Sequence, residues 1–396
     1  MTHQTKAHIP ALDGVRGLAI TLVLFYHFTM GLTPSGFVAK GLIKLGSIGW
    51  CGVDLFFVLS GFLITGILDD ARQTGRRHPF RNFYGRRVLR VFPLYFGTLF
   101  VLALIGAARG FEGIGEANLW NWTFSTNVLV ALRGAWFPLS HFWSLAVEEH
   151  FYLVWPMVVV LGGRKMALRS TFALIVLSLL ARSALVASGA TLGAYVLTVC
   201  RVDSLAIGGA LALWLRDKTE PRERLRVVQA LGLISVTGLI ALILWRRGLA
   251  FHDPAVQIIG YPLLAIAGAM LIAAVVTVPS WPIPRAFQHP LLRWLGRYSF
   301  GLYVFNSIAI LVLDGRQIKA RLLGMSGSVP AADLGYILLA VVLTFGASWL
   351  SWHGLEKHAL KAKRYLGGPR SEEPIKAAHK SWRYSGQSPN LITSRN

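Results

Sequence analysis

The apolar segment LAITLVLFYHFTMGL, residues 18–32, has the composition of a membrane span and so indicates the fold class. It also contains the ionisable side chain of His27. An ionisable side chain inside such a span is costly to place there and usually marks a functional site. Arg16 precedes His27 by eleven residues. On a helix, that spacing brings both side chains within roughly 20° of one face and about 16 Å apart along the axis. The pattern is compatible with a reaction carried across a bilayer and, equally, with a histidine bonded to a neighbouring helix.

The composition excludes an ordinary soluble domain, since 54% of the 396 residues are hydrophobic and only 15% are charged. The 13 tryptophans and 11 tyrosines suit the belts of a membrane protein at its interfaces. A net charge of +22 would also suit nucleic acid. However, the basic residues fall between apolar stretches and form neither one face nor one tail. We therefore expect membrane lipid, and no nucleic acid, as a partner.

Ten apolar runs are long enough to cross a bilayer, which predicts an all-α polytopic membrane protein. The runs are residues 12–32, 48–68, 88–106, 142–162, 168–188, 195–215, 227–245, 256–278, 298–313 and 333–353. Ten crossings place both termini on one side, and the loops of that side carry 29 of the 40 lysines and arginines. This imbalance predicts cytoplasmic termini in a plasma (bacterial inner) membrane. The membrane domain is predicted to cover residues 1–355, followed by a basic cytoplasmic tail, 356–396, that we expect to be disordered.

Several ionisable residues are predicted to lie at a similar depth, in the outer third of the bilayer. They are His27, Asp54, Glu148, Glu149, Arg201 and Asp203. Scattered structural ion pairs would not be expected to agree in depth, so the pattern favours one shared polar cavity. In the fourth span, Glu148 shares a helix face with His141 and Tyr152. A carboxylate beside His27 would orient its imidazole, and both Glu148 and Asp54 remain candidates for that role.

A second polar cluster is predicted at the inner membrane surface. Asp13 and Arg16 are spaced to pair on the first span. Arg86 and Arg90 lie one turn apart, and their guanidinium groups suit bidentate binding of phosphate. Arg87 projects about 100° away from Arg86, a direction that also allows contact with lipid headgroups. No cluster has the spacing of metal ligands, so no metal is predicted.

Five blocks of the sequence resemble the acyltransferase-3 family of integral membrane O-acyltransferases. They are IPALDGVRGLAITLVLFYHF (9–28), GVDLFFVLSGFLITG (52–66), FYGRRVLRVFPLYF (83–96), HFWSLAVEEHFYLVWP (141–156) and RVDSLAIGGALAL (201–213). The family's arginine, ten intervening residues and histidine fall on Arg16 and His27. Its arginine motif falls on Arg86, Arg87 and Arg90. The chain departs from many relatives at Asn306, where they carry histidine, and no appended SGNH-hydrolase-like domain is expected.

The resemblance implies transfer of an acyl group, commonly acetyl, from cytoplasmic acyl-CoA to a hydroxyl. The acceptor is expected to be a glycan, a lipid-linked sugar or a secondary metabolite. Arg86, Arg87 and Arg90 would hold the CoA phosphates with Arg16 at the entrance, while His27 acts as general base or takes the acyl group itself. Arg201, Asp203 and Tyr152 would bind the acceptor. The rival interpretation is a transporter or flippase for a polar or anionic solute, for which ionisable residues within the membrane would serve equally well.

Overall fold

A computed structural model describes residues 9–109, 114–217, 220–277, 282–313 and 315–366. Every regular element in these ranges is helical, which confirms the all-α class. The helices before the middle of the chain are α1 (Pro10–Thr29), α2 (Phe37–Gly46), α3 (Gly52–Gln73), α4 (Pro79–Arg109), α5 (Ile114–Trp122), α6 (Thr126–Arg133) and α7 (Trp143–Ala187). The later helices are α8 (Thr191–Val196), α9 (Thr198–Trp214), α10 (Pro221–Arg246), α11 (Tyr261–Thr277), α12 (Pro282–Phe287), α13 (Pro290–Val312), α14 (Gly315–Ser326), α15 (Val329–Ser351) and α16 (Lys357–Lys361).

Nine segments of the described chain are long and apolar enough to cross a membrane. One of them, Ser140–Ala187, has 48 residues, more than twice the roughly 20 that a bilayer requires. Its helix α7 is interrupted at Gly163, where φ is 66° and ψ is −167°. Glycine takes up this left-handed conformation without strain, so it joins two helices there. The fourth and fifth predicted spans therefore correspond to the two halves of α7.

Glycines set the closest helix contacts. A Cβ atom on Gly17 would lie 2.0 Å from the Leu292 carbonyl oxygen, and one on Gly296 would lie 1.8 Å from the Asp13 carbonyl oxygen, so α1 and α13 touch backbone to backbone. Gly61 of α3 makes the same approach to Leu205 of α9, at 1.8 Å. Small residues at such crossings let membrane helices pack tightly. These contacts pack α1 against α13 and α3 against α9.

Peripheral helices present apolar side chains outward. On α10, Leu233 and Leu244 are 70% and 74% exposed, and Val342 on α15 is 66% exposed. In a water-soluble protein, exposed apolar faces of this extent would be unusual. Together with the length of the helices, they show an integral membrane protein whose lipid-facing surface is apolar.

The segment expected to form a disordered tail begins with ordered structure. A π-helical turn, Trp352–Glu356, continues α15 into α16, and a 3₁₀ turn, Ala362–Leu366, follows. The described part of the tail is thus helical, while residues 367–396 lie outside the described residues. The boundary predicted at residue 355 falls inside this continuous run of helix.

Candidate active site

Helix α1 carries Arg16 and His27, and it is continuous between them. The spacing of eleven residues therefore corresponds to about 16 Å along one helix. Asp13 lies 3.7 Å from Arg16, at the i,i+3 spacing that the sequence predicted. One rigid element thus links the arginine at one end of the bundle to the histidine near the other.

The imidazole of His27 is half-buried, and its Nδ1 atom is fully buried without a hydrogen-bond partner in the described residues. His141 lies within Coulombic range of it. This second histidine is buried in the 3₁₀ turn Ser140–Phe142, where its Nε2 lies 3.2 Å from the Val304 carbonyl oxygen. Its Nδ1 is also buried and unpartnered. The imidazole of His27 also interacts with the Val23 backbone carbonyl one turn earlier on α1, and a neutral imidazole keeps one ring nitrogen as a proton acceptor.

Tyr303 of α13 fixes the turn that carries His141. Its hydroxyl donates to the His141 carbonyl oxygen and lies 2.6 Å from the Ser144 hydroxyl. Asn306, at the position where relatives often have histidine, donates from Nδ2 to the Tyr303 carbonyl oxygen at 2.6 Å. Its amide oxygen accepts from the Ser307 hydroxyl at 3.0 Å. Asn306 therefore makes these hydrogen bonds within its own helix, α13.

Arg87 and two glutamates form the core of a second polar group. The Arg87 Nε donates to Glu149 at 3.0 Å, and its Nη2 donates to Glu148 at 3.3 Å. The guanidinium also stacks on the Tyr152 ring, 3.9 Å from its centroid. Ser60 of α3 donates to the other oxygen of Glu148 at 2.7 Å. Arg87 is therefore held inside the bundle by α7, and its contact is with carboxylates and an aromatic ring.

Further cations surround this group. Arg90 is close enough to Arg16 and Arg87 for their like charges to repel. Arg16 is in turn close enough to Glu148 and Tyr152 to interact with them electrostatically. The Nε atom of Arg86 is buried without a partner in the described residues. We call Arg16, Arg86, Arg87 and Arg90 the arginine cluster. Its side chains come from α1 and from the first turns of α4.

A third group consists of two buried ion pairs between α3, α7 and α9. Arg201 donates to Asp54 at 2.6 Å, and Arg182 donates to Asp203 at 2.7 Å. All four side chains are at most 2% exposed. The Arg201 guanidinium lies 4.1 Å from the centroid of Tyr261, which adds a cation–π contact. Arg182 stands alone in an apolar run of the sequence, and only the structure identifies it as the partner of Asp203.

The structure gives separate partners to residues that the sequence placed at one depth. Glu148 lies with the arginine cluster, Asp54 is paired with Arg201, and His141 approaches His27. Neither Glu148 nor Asp54 hydrogen-bonds to His27. Equal depth in a bilayer leaves the rotation of each helix about its axis undetermined, so the shared cavity stays a prediction. In the described part of the chain, no three His, Cys, Asp or Glu side chains are grouped to hold a metal ion.

A family model described as an acyltransferase domain matches residues 9–353, nearly the whole chain. The chain belongs to the acyltransferase-3 family. The arginine cluster and His27 both lie inside the matched residues. No solved structure matches this family member significantly.

The acyltransferase-3 chain is similar to three proteins whose names describe O-acetyltransferases. It is 31% identical to the candidate peptidoglycan O-acetyltransferase YrhL of Bacillus subtilis, over 90% of this chain and 56% of the relative. It is 28% identical to the peptidoglycan O-acetyltransferase OatA of Listeria monocytogenes, over 77% and 50%. It is 25% identical to the O-acetyltransferase OatA of Staphylococcus aureus strain MRSA252, over 92% and 60%. The aligned region thus spans only 50–60% of each of these relatives' length.

Proposed function

We propose that the chain is a membrane O-acyltransferase that moves an acetyl group from cytoplasmic acyl-CoA to a hydroxyl of a cell-surface glycan. The observation that carries the proposal is the arrangement on α1. Arg16 joins a cluster of cations at one end, and His27 presents a buried, unpaired ring nitrogen about 16 Å away. Family membership supports acyl transfer as the chemistry. The names of two bacterial relatives support peptidoglycan, a glycan, as the class of acceptor.

The arginine cluster is proposed to hold the phosphates of the acyl donor. Arg86 and Arg90 form no ion pair with a carboxylate in the described residues, so their guanidinium groups are available to an anion. Arg87 differs from them because Glu148 and Glu149 already neutralise it. We assign Arg87 and Glu148 to positioning: together with Ser60 they join α3, α4 and α7 around the site.

His27 is proposed to act as the general base. Its neutral imidazole accepts the proton of the acceptor hydroxyl, and the resulting alkoxide attacks the thioester carbonyl carbon. The C–S bond breaks, the acetyl group remains on the acceptor oxygen, and the proton passes to the departing CoA thiolate. In the alternative route His27 takes the acetyl group itself before the acceptor does. Label that stays on the protein when no acceptor is present would identify that route.

The buried ion pairs are proposed to fix helices rather than to bind the acceptor. Arg201 and Asp203 are at most 2% exposed, and each already has a charged partner at 2.7 Å or closer. An acceptor would have to displace those partners and leave a buried charge unpaired, which is strongly destabilising. Tyr152 is 1% exposed and its ring stacks under Arg87, so we assign it to positioning together with Arg87.

Reconstituted protein tests the proposal directly. Proteoliposomes receive labelled acetyl-CoA on the side of the arginine cluster and soluble peptidoglycan fragments on the other. The proposal predicts release of CoA that depends on the fragments, with label recovered as an ester on the glycan. Transport of the fragments or of another solute without CoA release would instead support a transporter. His252→Ala, at an exposed histidine far from α1 in sequence, is the control for effects of removing any imidazole.

A further inference from the structure

The last described part of the chain packs on the helix that carries three of the clustered arginines. Residues 352–366, which we call the C-terminal arm, run along the first half of α4. A Cβ atom on Gly85 would lie 2.8 Å from Leu366, and one on Gly97 would lie 3.7 Å from Leu355. The arm thus covers about three turns of α4, from Gly85 to Gly97. All of it except residues 352 and 353 lies beyond the end of the match to the family model.

The arm adds a cation to the arginine cluster. Lys363 is half-buried in the 3₁₀ turn Ala362–Leu366, which packs on α4 beside Gly85, and its ammonium is close enough to the four clustered arginines for their charges to repel. The arm also brings Glu356 near Arg90, but this carboxylate already accepts from Ser351 at 3.0 Å. No salt bridge joins Glu356 to Arg90 within the described residues, so the two side chains lie farther apart than an ion pair. Arg16 and Arg87 have carboxylate partners in Asp13, Glu148 and Glu149, so the unpaired positive charge of this region lies on the remaining cations.

Three of these cations have no carboxylate partner in the described part of the chain, namely Arg86, Arg90 and Lys363. The buried Nε atom of Arg86 also lacks a hydrogen-bond acceptor. Cations that repel one another, together with an unsatisfied buried donor, are the features of an anion site. Arginine forks and a lysine point charge are the groups that bind phosphate in proteins.

We propose that the C-terminal arm forms one wall of the donor site and that Lys363 binds a phosphate group of acyl-CoA there. The inference rests on the proposed function, since it names a further residue of the same donor site. The phosphate of an anionic lipid headgroup has the same chemistry. The donor is favoured because Arg16 of α1 and Arg90 of α4 are half-buried, whereas Arg76, Arg77 and Arg81 before them are exposed and would meet a headgroup first.

Binding and turnover of the full chain test this inference in nanodiscs of neutral phosphatidylcholine. The variants are Lys363→Gln, which removes the charge, Lys363→Arg, which keeps it, and Lys361→Gln as a control. Lys361 lies two residues earlier in the same arm and is exposed. The measurements are the equilibrium binding of labelled acetyl-CoA, and the KM and kcat of transfer. A second set of discs contains phosphatidylglycerol.

Lys363→Gln is expected to weaken acetyl-CoA binding about tenfold, the loss of one charge-assisted contact, and to raise KM with little change in kcat. Lys363→Arg should bind within about twofold of the wild type, as should Lys361→Gln. Wild-type affinity in Lys363→Gln, or an equal loss in Lys361→Gln, would overturn the inference. An effect of Lys363→Gln confined to discs with phosphatidylglycerol would also overturn it and identify a lipid as the source of the phosphate. Because binding needs no transfer, a wild type that binds acetyl-CoA without acetylating glycan would refute the proposed function alone.

Discussion

Replacing Asp54 by asparagine should destabilise the protein strongly, because it removes the charge opposite Arg201. Asp54→Asn keeps the shape of the side chain and cancels only its charge. Arg201 is fully buried, and its Nη2 lies 2.6 Å from the Asp54 carboxylate. The Nε and Nη1 atoms of Arg201 have no other hydrogen-bond partner in the described residues. The variant therefore leaves a buried guanidinium with little compensation.

The size of the effect follows from the geometry. Two unit charges at 2.6 Å attract by about 6 kcal/mol at an effective dielectric constant of about 20. Asp203 also lies within Coulombic range of Arg201 and retains part of that attraction. Measured losses on breaking a buried ion pair are about 3–5 kcal/mol, and we expect Asp54→Asn to fall in that range. A loss of this size should lower the midpoint of thermal unfolding by about 10 °C.

The assay is size-exclusion chromatography of detergent-solubilised protein after a series of heating steps. Asp253→Asn is the matched control, because Asp253 lies 2.7 Å from Arg246 in a pair that is 39% and 16% exposed. An exposed pair contributes at most about 1 kcal/mol, so this control should unfold near the wild-type temperature. The double variant Asp54→Asn/Arg201→Gln removes both charges and should recover most of the lost stability.

Two results would refute this reasoning. Equal unfolding midpoints for Asp54→Asn and Asp253→Asn would show that burial of the pair does not set its contribution. A double variant that is stable but cannot acetylate glycan would show that Arg201 binds substrate, in contradiction to its assignment as a residue that fixes helices.

Three further predictions concern helix packing, the arginine cluster and the loop after α1. Gly61→Ala should cost about 1–3 kcal/mol of stability because its Cβ would meet the Leu205 carbonyl oxygen. Gly41→Ala, with open space around it, should leave the unfolding midpoint unchanged or raise it. Equal midpoints for the two variants would contradict the close α3–α9 contact. Arg87→Lys should lower stability by about 2 kcal/mol, since a lysine cannot span Glu148 and Glu149 and also stack on Tyr152. Arg81→Lys, at an exposed site, serves as the control. An unfolding midpoint no lower than that of Arg81→Lys would argue against the two-carboxylate contact. Asp333→Asn should speed hydrogen exchange at the Thr33 amide, which Asp333 accepts from at 2.7 Å while also binding Lys319; unchanged protection of Thr33 would show that this contact does not order the loop after α1.

The sequence predicts the membrane helices well because their signal is local. An apolar run of about 20 residues cannot remain in water, and it must form a helix in lipid whatever its neighbours are. The same locality explains why Asp13 and Arg16 pair as predicted, since their spacing on one helix determines the contact. The break at Gly163 is less evident, because a glycine inside an apolar run is also compatible with an uninterrupted helix.

Contacts between helices are harder to predict from one sequence. Depth in the membrane follows from position along each span, but the partner of a side chain depends on how each helix is rotated and which helices are adjacent. For this reason Glu148 and Asp54 were both candidates to orient His27, whereas the structure pairs them with Arg87 and Arg201. The packing of the C-terminal arm, which carries Lys363, against α4 is a long-range contact of the same kind, made by a segment whose polar sequence resembles a tail.

The central claim is that α1 connects a donor site at Arg16 to a base at His27, so the two ends should fail in different ways. The decisive measurement is acetyl-CoA binding and glycan acetylation in the same preparations of His27→Ala and Arg90→Gln. His27→Ala should bind acetyl-CoA like the wild type but lose transfer by about 10²–10⁴-fold, the contribution of a general base. Arg90→Gln should lose binding of acetyl-CoA. Transfer at the wild-type rate by correctly folded His27→Ala would contradict the account.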